Sequence, residues 1–478
     1  MFYDRERDLA DLNDILTRPG AQLMIVSGRR RVGKTTLLIE WARRSGRPFL
    51  YWVASRQPAP SLLQSISQTL WRYAHPNDIM PASFAYDSWS EVFQQMAILA
   101  AEQRLIVILD ELTYVIEVDD AFTSLLQNAW DHHIKQTQIC LLLAGSHIGL
   151  MNQLHTYRAP LYGRFTAQLR LDPLPFYALR SFLPGYDAER RVAVYAILGG
   201  IPAYLEQFSD QYTLRENLER TILRRTGLFR TEPFVLIGDL VREPRNYTAI
   251  IRAIADNRHT PEEIAASGAI AASNVHKYLQ RLVELQLVER RLPATVPPKQ
   301  RTTQSRYYLR DPFLRFYYRF LEPNQDLIEL ELKDALWQAI SEQMRAFIGL
   351  TAFEDLCREW TLMQARRGQL AFVPQMVSGY WGQTVQVDVV ALSWRVQAVL
   401  LGECKWGAEA VPRSVISDLL EVKTPRLLAL LPEAGAGWAV HHVVFARAGF
   451  TPAASTLATA HNVRLVDLPQ LDSDLTPV

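Results

Sequence analysis

Cysteine is scarce in this chain. Its three cysteines, Cys140, Cys357 and Cys404, lie far apart and form no C-x-x-C pair. Neither a zinc site nor a disulfide framework is indicated, and a reducing cytoplasm is the expected compartment. No apolar run approaches the roughly 20 residues of a membrane-spanning helix, so no membrane partner is expected. The opening residues, Met1-Phe-Tyr-Asp-Arg-Glu-Arg-Asp8, are charged where a signal peptide is apolar. Excess charge is missing too. Lys and Arg number 51 against 50 Asp and Glu, a formal net charge of +1, so any nucleic-acid contact must come from local clusters. No internal repeat or long disordered tract is visible. What remains is an ordinary globular composition, 49% hydrophobic and 21% charged. A chain of this length predicts roughly three or four domains.

One stretch stands out from that background. Leu23-Met-Ile-Val-Ser-Gly28-Arg29-Arg30-Arg31-Val32-Gly33-Lys34-Thr35-Thr36 reads as a buried strand, a loop fitting G-x-x-x-x-G-K-[ST], and the start of a helix. Backbone N–H groups freed by Gly28 and Gly33 can wrap a polyphosphate, and the helix N-terminus adds its dipole. Lys34 would reach the β- and γ-phosphates and the Thr35 hydroxyl would take a position on Mg²⁺, so ATP or GTP is the expected ligand. A second apolar strand, Leu105–Leu109, ends in Asp110-Glu111. Asp110 is placed to hold Mg²⁺ through water and Glu111 to polarise an attacking water, in preference to a plain acidic turn. A third strand, Ile139–Leu143, runs into Ala144-Gly145-Ser146; Ser146 is either a γ-phosphate sensor or part of a strand-ending turn. Arg164, after Pro160-Leu-Tyr-Gly163, is either an arginine finger acting in trans or one half of a surface salt bridge.

Further along, residues 171–235 lack strand signals and read as helical. His259–Gly268 reads as a helix capped by Thr260 and Pro261, and Ser273–Leu285 as a second helix with Val275, Tyr278, Leu279 and Leu282 facing a core. Its other face offers Asn274, Lys277 and Arg281, which suits helix-turn-helix reading of a major groove. Arg290, Arg291, Lys299, Arg301, Arg306 and Arg310 follow with no acid among them, as a basic wing over phosphates would require. A winged helix used for protein contacts is the competing reading. In the last third, Glu354 lies in a helical stretch and Asp388 in a strand at Val385–Leu392. The strand Val396–Gly402 then leads into Glu403-Cys-Lys405. Asp388 and Glu403 can share Mg²⁺, with Lys405 orienting a nucleophile or stabilising the transition state of phosphodiester cleavage. Taken alone, Glu-x-Lys is equally an edge strand with a salt-bridged pair.

Six motifs in order carry a resemblance: Phe2-x-x-Arg5-Glu6-x-x-Leu9, Gly28–Thr35, Leu109-Asp-Glu-Leu112, Ala144-Gly-Ser146, Pro160–Arg164 and Leu198-Gly-Gly-Ile-Pro202-Ala-Tyr204. Together they resemble the archaeal-type ATPase family of the AAA+/signal-transducing NTPase group. The resemblance implies ATP as the nucleotide and Arg164 as a finger, hence self-association. It also implies that Pro202 packs near the adenine, where the residue alone would read as a helix-breaking turn. Glu354, Asp388, Glu403-x-Lys405 and the trailing strand Val443–Phe450 resemble the PD-(D/E)XK restriction-endonuclease-like fold, which that family is known to carry after a winged helix.

The expected fold class is therefore α/β: a P-loop parallel-sheet ATPase core at 1–170, a helical lid at 171–240 and a winged helix at 241–325. A helical linker at 326–344 and a restriction-endonuclease-like α/β domain at 345–478 complete it. The expected activity is ATP-driven DNA processing with a Mg²⁺-dependent nuclease. The alternative is a nucleotide-dependent switch whose C-terminal domain binds DNA or protein without cutting.

Overall fold

Apolar runs rich in Ile, Leu and Val make the central strands. The computed structural model describes residues 3–224, 227–238, 244–297, 302 and 304–476. β1 (Gln22–Gly28), β3 (Leu105–Asp110) and β4 (Ile139–Gly145) are buried at every position, as strands covered by helices on both faces must be. With β2 (Phe49–Val53) and β5 (Ala167–Leu171) they form a parallel sheet in the order β2-β3-β4-β1-β5. The three strands expected from sequence are its middle; the two edges were not foreseen. The chain leaves β1 for one edge and β4 for the other, so a crevice opens beyond their carboxyl ends, where such sheets bind ligands. Trp89 and Phe93 each pack edge to face against Phe122 beside the sheet, with ring centroids 4.8 and 5.6 Å away. This unit comprises Met1–Leu174 and Ile201–Ala203.

The second unit, Pro175–Gly200 with Tyr204–Val478, holds the remaining helices and a second sheet. Thr260 and Glu263 form a reciprocal capping box on helix Pro261–Ser267. Helix Ala272–Glu284 buries Val275, Leu279 and Leu282, while Tyr278 is half-buried and accepts a hydrogen bond from Asn246 at 2.8 Å. β6 (Val288–Arg291) then pairs antiparallel with β7 (Arg306–Leu309), a two-stranded hairpin where the basic wing was expected.

The second sheet has the order β12-β11-β10-β9-β8. β8 (Met376–Trp381), β9 (Gln386–Ser393) and β10 (Ala398–Lys405) are antiparallel. β10, β11 (Ala439–Ala446) and β12 (Val463–Asp467) are parallel. The strand expected at Val443–Phe450 instead starts earlier and stops at Ala446: Gly449 turns the chain at φ +73°, and Phe450 keeps only a single bridge to Val411. The stretch 432–437 is the expected surface turn.

The hairpin does not end free. The Ala294 N–H donates to the Gly379 carbonyl at 3.0 Å, and the Ser378 hydroxyl donates to the Leu292 carbonyl at 2.8 Å. Ala294 is fully buried in the core of the second sheet. Leu292–Ala294 thus cover the edge of β8, which would otherwise offer unpaired backbone groups. The helical, winged-helix and C-terminal segments share one compact unit, a coarser division than the five parts expected. Among the described residues no helix is long and apolar enough to cross a membrane.

Candidate functional site

Two constellations gather chemistry, one in each unit. In the first, Gly33 takes φ +96° and caps helix Lys34–Arg44, a backbone conformation that suits glycine. At Gly28 an added Cβ would lie 2.6 Å from the Leu171 carbonyl oxygen, so the loop passes too close for a side chain. The loop is held from outside by Arg5, 8% exposed, whose guanidinium donates to the Val32 carbonyl at 2.9 Å and the Asp172 carbonyl at 3.0 Å.

Lys34 is buried and folds back over its own loop. Its ammonium donates to the carbonyls of Gly28 (2.9 Å) and Arg29 (3.2 Å) and to the Ser146 hydroxyl (2.8 Å). Burial lowers its pKa, with Glu111 and Asp110 opposing. The Ser146 hydroxyl in turn donates to Glu111 Oε1 at 2.6 Å, so Ser146 joins the lysine to the acid. Asp110 has no exposed surface. Its Oδ2 accepts from Thr35 Oγ1 at 2.5 Å and from the Tyr51 hydroxyl at 3.3 Å, and its Oδ1 from the Glu111 N–H at 2.8 Å. Burial, reinforced by Asp110, pushes Tyr51 up to about 12, so it stays a donor. Pro202 begins a short helix and lies against the phosphate loop, its Cγ 3.9 Å from where a Gly33 Cβ would stand. Arg30 and Thr36 are exposed, and Arg29 and Arg31 half-buried, around the loop. Arg164 forms a two-pronged ion pair with Asp131, at 2.9 and 2.6 Å.

A phosphate loop after β1, an acid pair at the end of β3 and a serine at the end of β4 define a P-loop nucleotide-binding core. Residues 2–208 match the family described as an ATPase domain predominantly from Archaea, and residues 317–415 match one described as "Archaea bacterial proteins of unknown function". An uncharacterized protein of Methanocaldococcus jannaschii is 30% identical over 408 residues, covering 85% of this chain and 88% of that protein. An uncharacterized ATP-binding protein of Pyrococcus abyssi is 23% identical over 45% of this chain and 72% of its own length. Among solved structures, a Walker-type ATPase of Pyrococcus abyssi superposes with a TM-score of 0.51. It is 22% identical, over 66% of this chain and 96% of that one, a likeness of fold. The chain belongs to the archaeal-type P-loop ATPase family.

In the second unit the structure brings Glu354, Asp388, Glu403 and Lys405 together. Strand alternation in β10 puts Glu403 and Lys405 on one face. The Glu403 side chain is only 2% exposed. Its Oε2 accepts from Lys405 Nζ at 2.9 Å and its Oε1 from Lys423 Nζ at 2.6 Å. Asp388, on β9, accepts the Cys404 N–H at 2.9 Å. Glu354 opens helix Glu354–Arg366, and burial raises its carboxyl to about 7, with Arg358 opposing and Asp388 adding repulsion. Burial and then Asp388 also raise Glu403, against its two lysines. Among the described residues no group of three or more His, Cys, Asp or Glu is set to hold a metal ion. The carboxylates that could hold a divalent cation here are the two of Asp388 and Glu403. The mutual repulsion of these acids suits such a cation.

Behind them, Arg358 donates to the Asp388 carbonyl (2.8 Å), to Glu354 (3.3 Å) and to Asp355 (2.7 Å). Asp355 also pairs with Arg291 of β6 at 2.9 Å and with Arg315 at 3.7 Å. Burial opposes its ionisation, but Arg291, Arg358 and Arg315 outweigh that and hold the carboxyl well below the usual range. Arg291, expected as a phosphate contact, has its guanidinium paired with Asp355 and Glu289.

Asn274 and Lys277 are exposed, Arg281 pairs with Glu284 at 3.2 Å, and exposed Arg290 reaches the Thr302 carbonyl at 3.3 Å. Arg306 lies over the Trp381 ring at 5.2 Å. Lys299 and Arg301 lie outside the described residues. Sequence reasoning gave no part to Tyr51, Asp131, Arg358 or Lys423. Tyr51, Asp131 and Lys423 meet their partners only through the fold, whereas Arg358 has Glu354 and Asp355 within four residues on its own helix; Arg5 was marked by the Phe2-x-x-Arg5 motif.

Proposed function

We propose that this chain is an ATP-hydrolysing, DNA-processing protein whose C-terminal site cleaves phosphodiesters. The observation that carries the first half is the chain Lys34–Ser146–Glu111 beside the Asp110–Thr35 pair. Thr35 and Asp110 are the residues that would hold Mg²⁺, which neutralises charge on the phosphates when bound. Lys34 leaves Ser146 for the β- and γ-phosphates, Glu111 orients a water and takes its proton, and Ser146 stays within reach of the γ-phosphate. Pro202 borders the nucleotide. Arg164 serves a neighbouring copy's nucleotide once it leaves Asp131. The exposed face of Ala272–Glu284 with Arg290 is the DNA contact.

For the C-terminal site, support comes from Asp388, Glu403 and Lys405 converging with Glu354. A divalent cation on Asp388 and Glu403 would activate water, with Lys405 near the scissile phosphate. One observation favours the non-cutting switch instead: both Glu403 oxygens already carry lysines. The test is purified protein with plasmid and Mg²⁺ or Mn²⁺, with and without ATP, beside Lys34→Ala and Asp388→Ala. Lys34→Ala should lose ATP turnover, and Asp388→Ala should lose cleavage alone. Cleavage surviving in Asp388→Ala rules out the nuclease assignment, and turnover surviving in Lys34→Ala rules out the ATP site.

A further inference from the structure

We propose that Lys423 is a second phosphate-binding lysine of the C-terminal site, serving as counter-cation of Glu403 until a divalent cation takes that place. This rests on the nuclease reading of that site. Lys423 ends the π-helical turn Asp418–Lys423, and its ammonium is 2.6 Å from Glu403 Oε1. The next residue fixes the backbone there: the Thr424 hydroxyl donates to the Leu419 carbonyl at 2.6 Å and lies 3.0 Å from His442 Nε2. The lysine is thus aimed by a rigid turn.

Two carboxylates, Glu403 and Asp388, face two lysines here. Glu403 is sealed from water at 2% exposure, and a buried carboxylate needs a partner. Lys405 already supplies one. Lys423 adds a second full positive charge, while its side chain keeps 21% exposure and Lys405 keeps 37%, so both ammonium groups reach solvent. A divalent cation on Asp388 and Glu403 would leave these solvent-reaching ammonium groups without their counter-charges, and a phosphodiester arriving from solvent would restore the balance. A divalent cation on Glu403 would repel the Lys423 ammonium from Oε1. The flexible stem then allows the ammonium to swing to the phosphate oxygens. Cation and lysine therefore compete for one carboxylate, and the loser is left for the substrate.

The competition fixes the sign of the test. Mn²⁺ binding to the full nucleotide-free chain is measured by electron paramagnetic resonance, taking the component abolished by Glu403→Gln as this site. Binding of a short DNA duplex in Ca²⁺ is measured by fluorescence anisotropy. Lys423→Met should bind Mn²⁺ about three- to tenfold more tightly, as expected for removing one partly exposed ionic competitor. It should also bind duplex more weakly, and Lys423→Arg should restore duplex binding. Lys423→Gln repeats the comparison should methionine perturb folding. Unchanged or weaker Mn²⁺ binding in both variants, with a wild-type protein that binds, overturns the role of Lys423 alone. A wild-type protein with no Glu403-dependent Mn²⁺ component overturns the site reading and this inference with it.

Discussion

Glu111 and Ser146 show what single residues commit to. Glu111 sits at φ +50°, and its carboxylate is tied to Ser146, which is itself held by Lys34. Glu111→Gln should bind ATP within about twofold of wild type yet lose turnover by roughly a hundredfold or more, the range for removing a general base. Normal turnover in that variant, measured by phosphate release, would remove Glu111 from the hydrolytic role. His442 makes a different kind of prediction. Burial, aided by His441 and His461, lowers its pKa to about 4. A histidine held neutral in the fold contributes stability above its unfolded value near 6.5. That contribution fades as pH falls toward 4. Thermal midpoints should drop over that window, and less steeply in His442→Gln; parallel curves would show that His442 is not responsible. The phosphate loop, Asp110-Glu111 and Glu403-x-Lys405 were legible because each motif is local in sequence. Tyr51, Asp131 and Lys423 were not, because their partners lie on other elements.

Secondary structure was legible where one pattern dominated. The wholly buried β1, β3 and β4 and the amphipathic helix Ala272–Glu284 stand as expected. β2, β5, β8 and β12 escaped notice because edge strands mix buried and exposed positions and lack a clean run. The charge reversals Lys277→Glu and Arg290→Glu should weaken duplex binding and lower the slope of log affinity against log salt by about 0.9 for each phosphate no longer neutralised. Both side chains are exposed, so folding should be spared. An unchanged slope in folded protein would place the DNA-binding face elsewhere.

For the whole molecule, a finger acting in trans makes hydrolysis a property of the assembly. Arg164→Ala should bind ATP normally and hydrolyse it slowly, and mixing it with Glu111→Gln protein should recover part of the activity. A monomer with full turnover would return Arg164 to its ion pair with Asp131. The five expected segments were drawn from shifts in sequence character, which cannot reveal that the Leu292–Ala294 backbone seals the β8 edge or that Arg291 reaches Asp355. That seam has a consequence for proteolysis. The turn Leu330–Leu332 is open to a protease, with Leu330 at 69% and Leu332 at 47% exposure. A single cut there severs the chain without touching Ala294 or the Arg291–Asp355 pair. The fragments should co-elute on a sizing column at neutral pH and part only in denaturant. Fragments that separate in plain buffer would mean that the peptide linkage, and not the seam, keeps these two parts of the chain together.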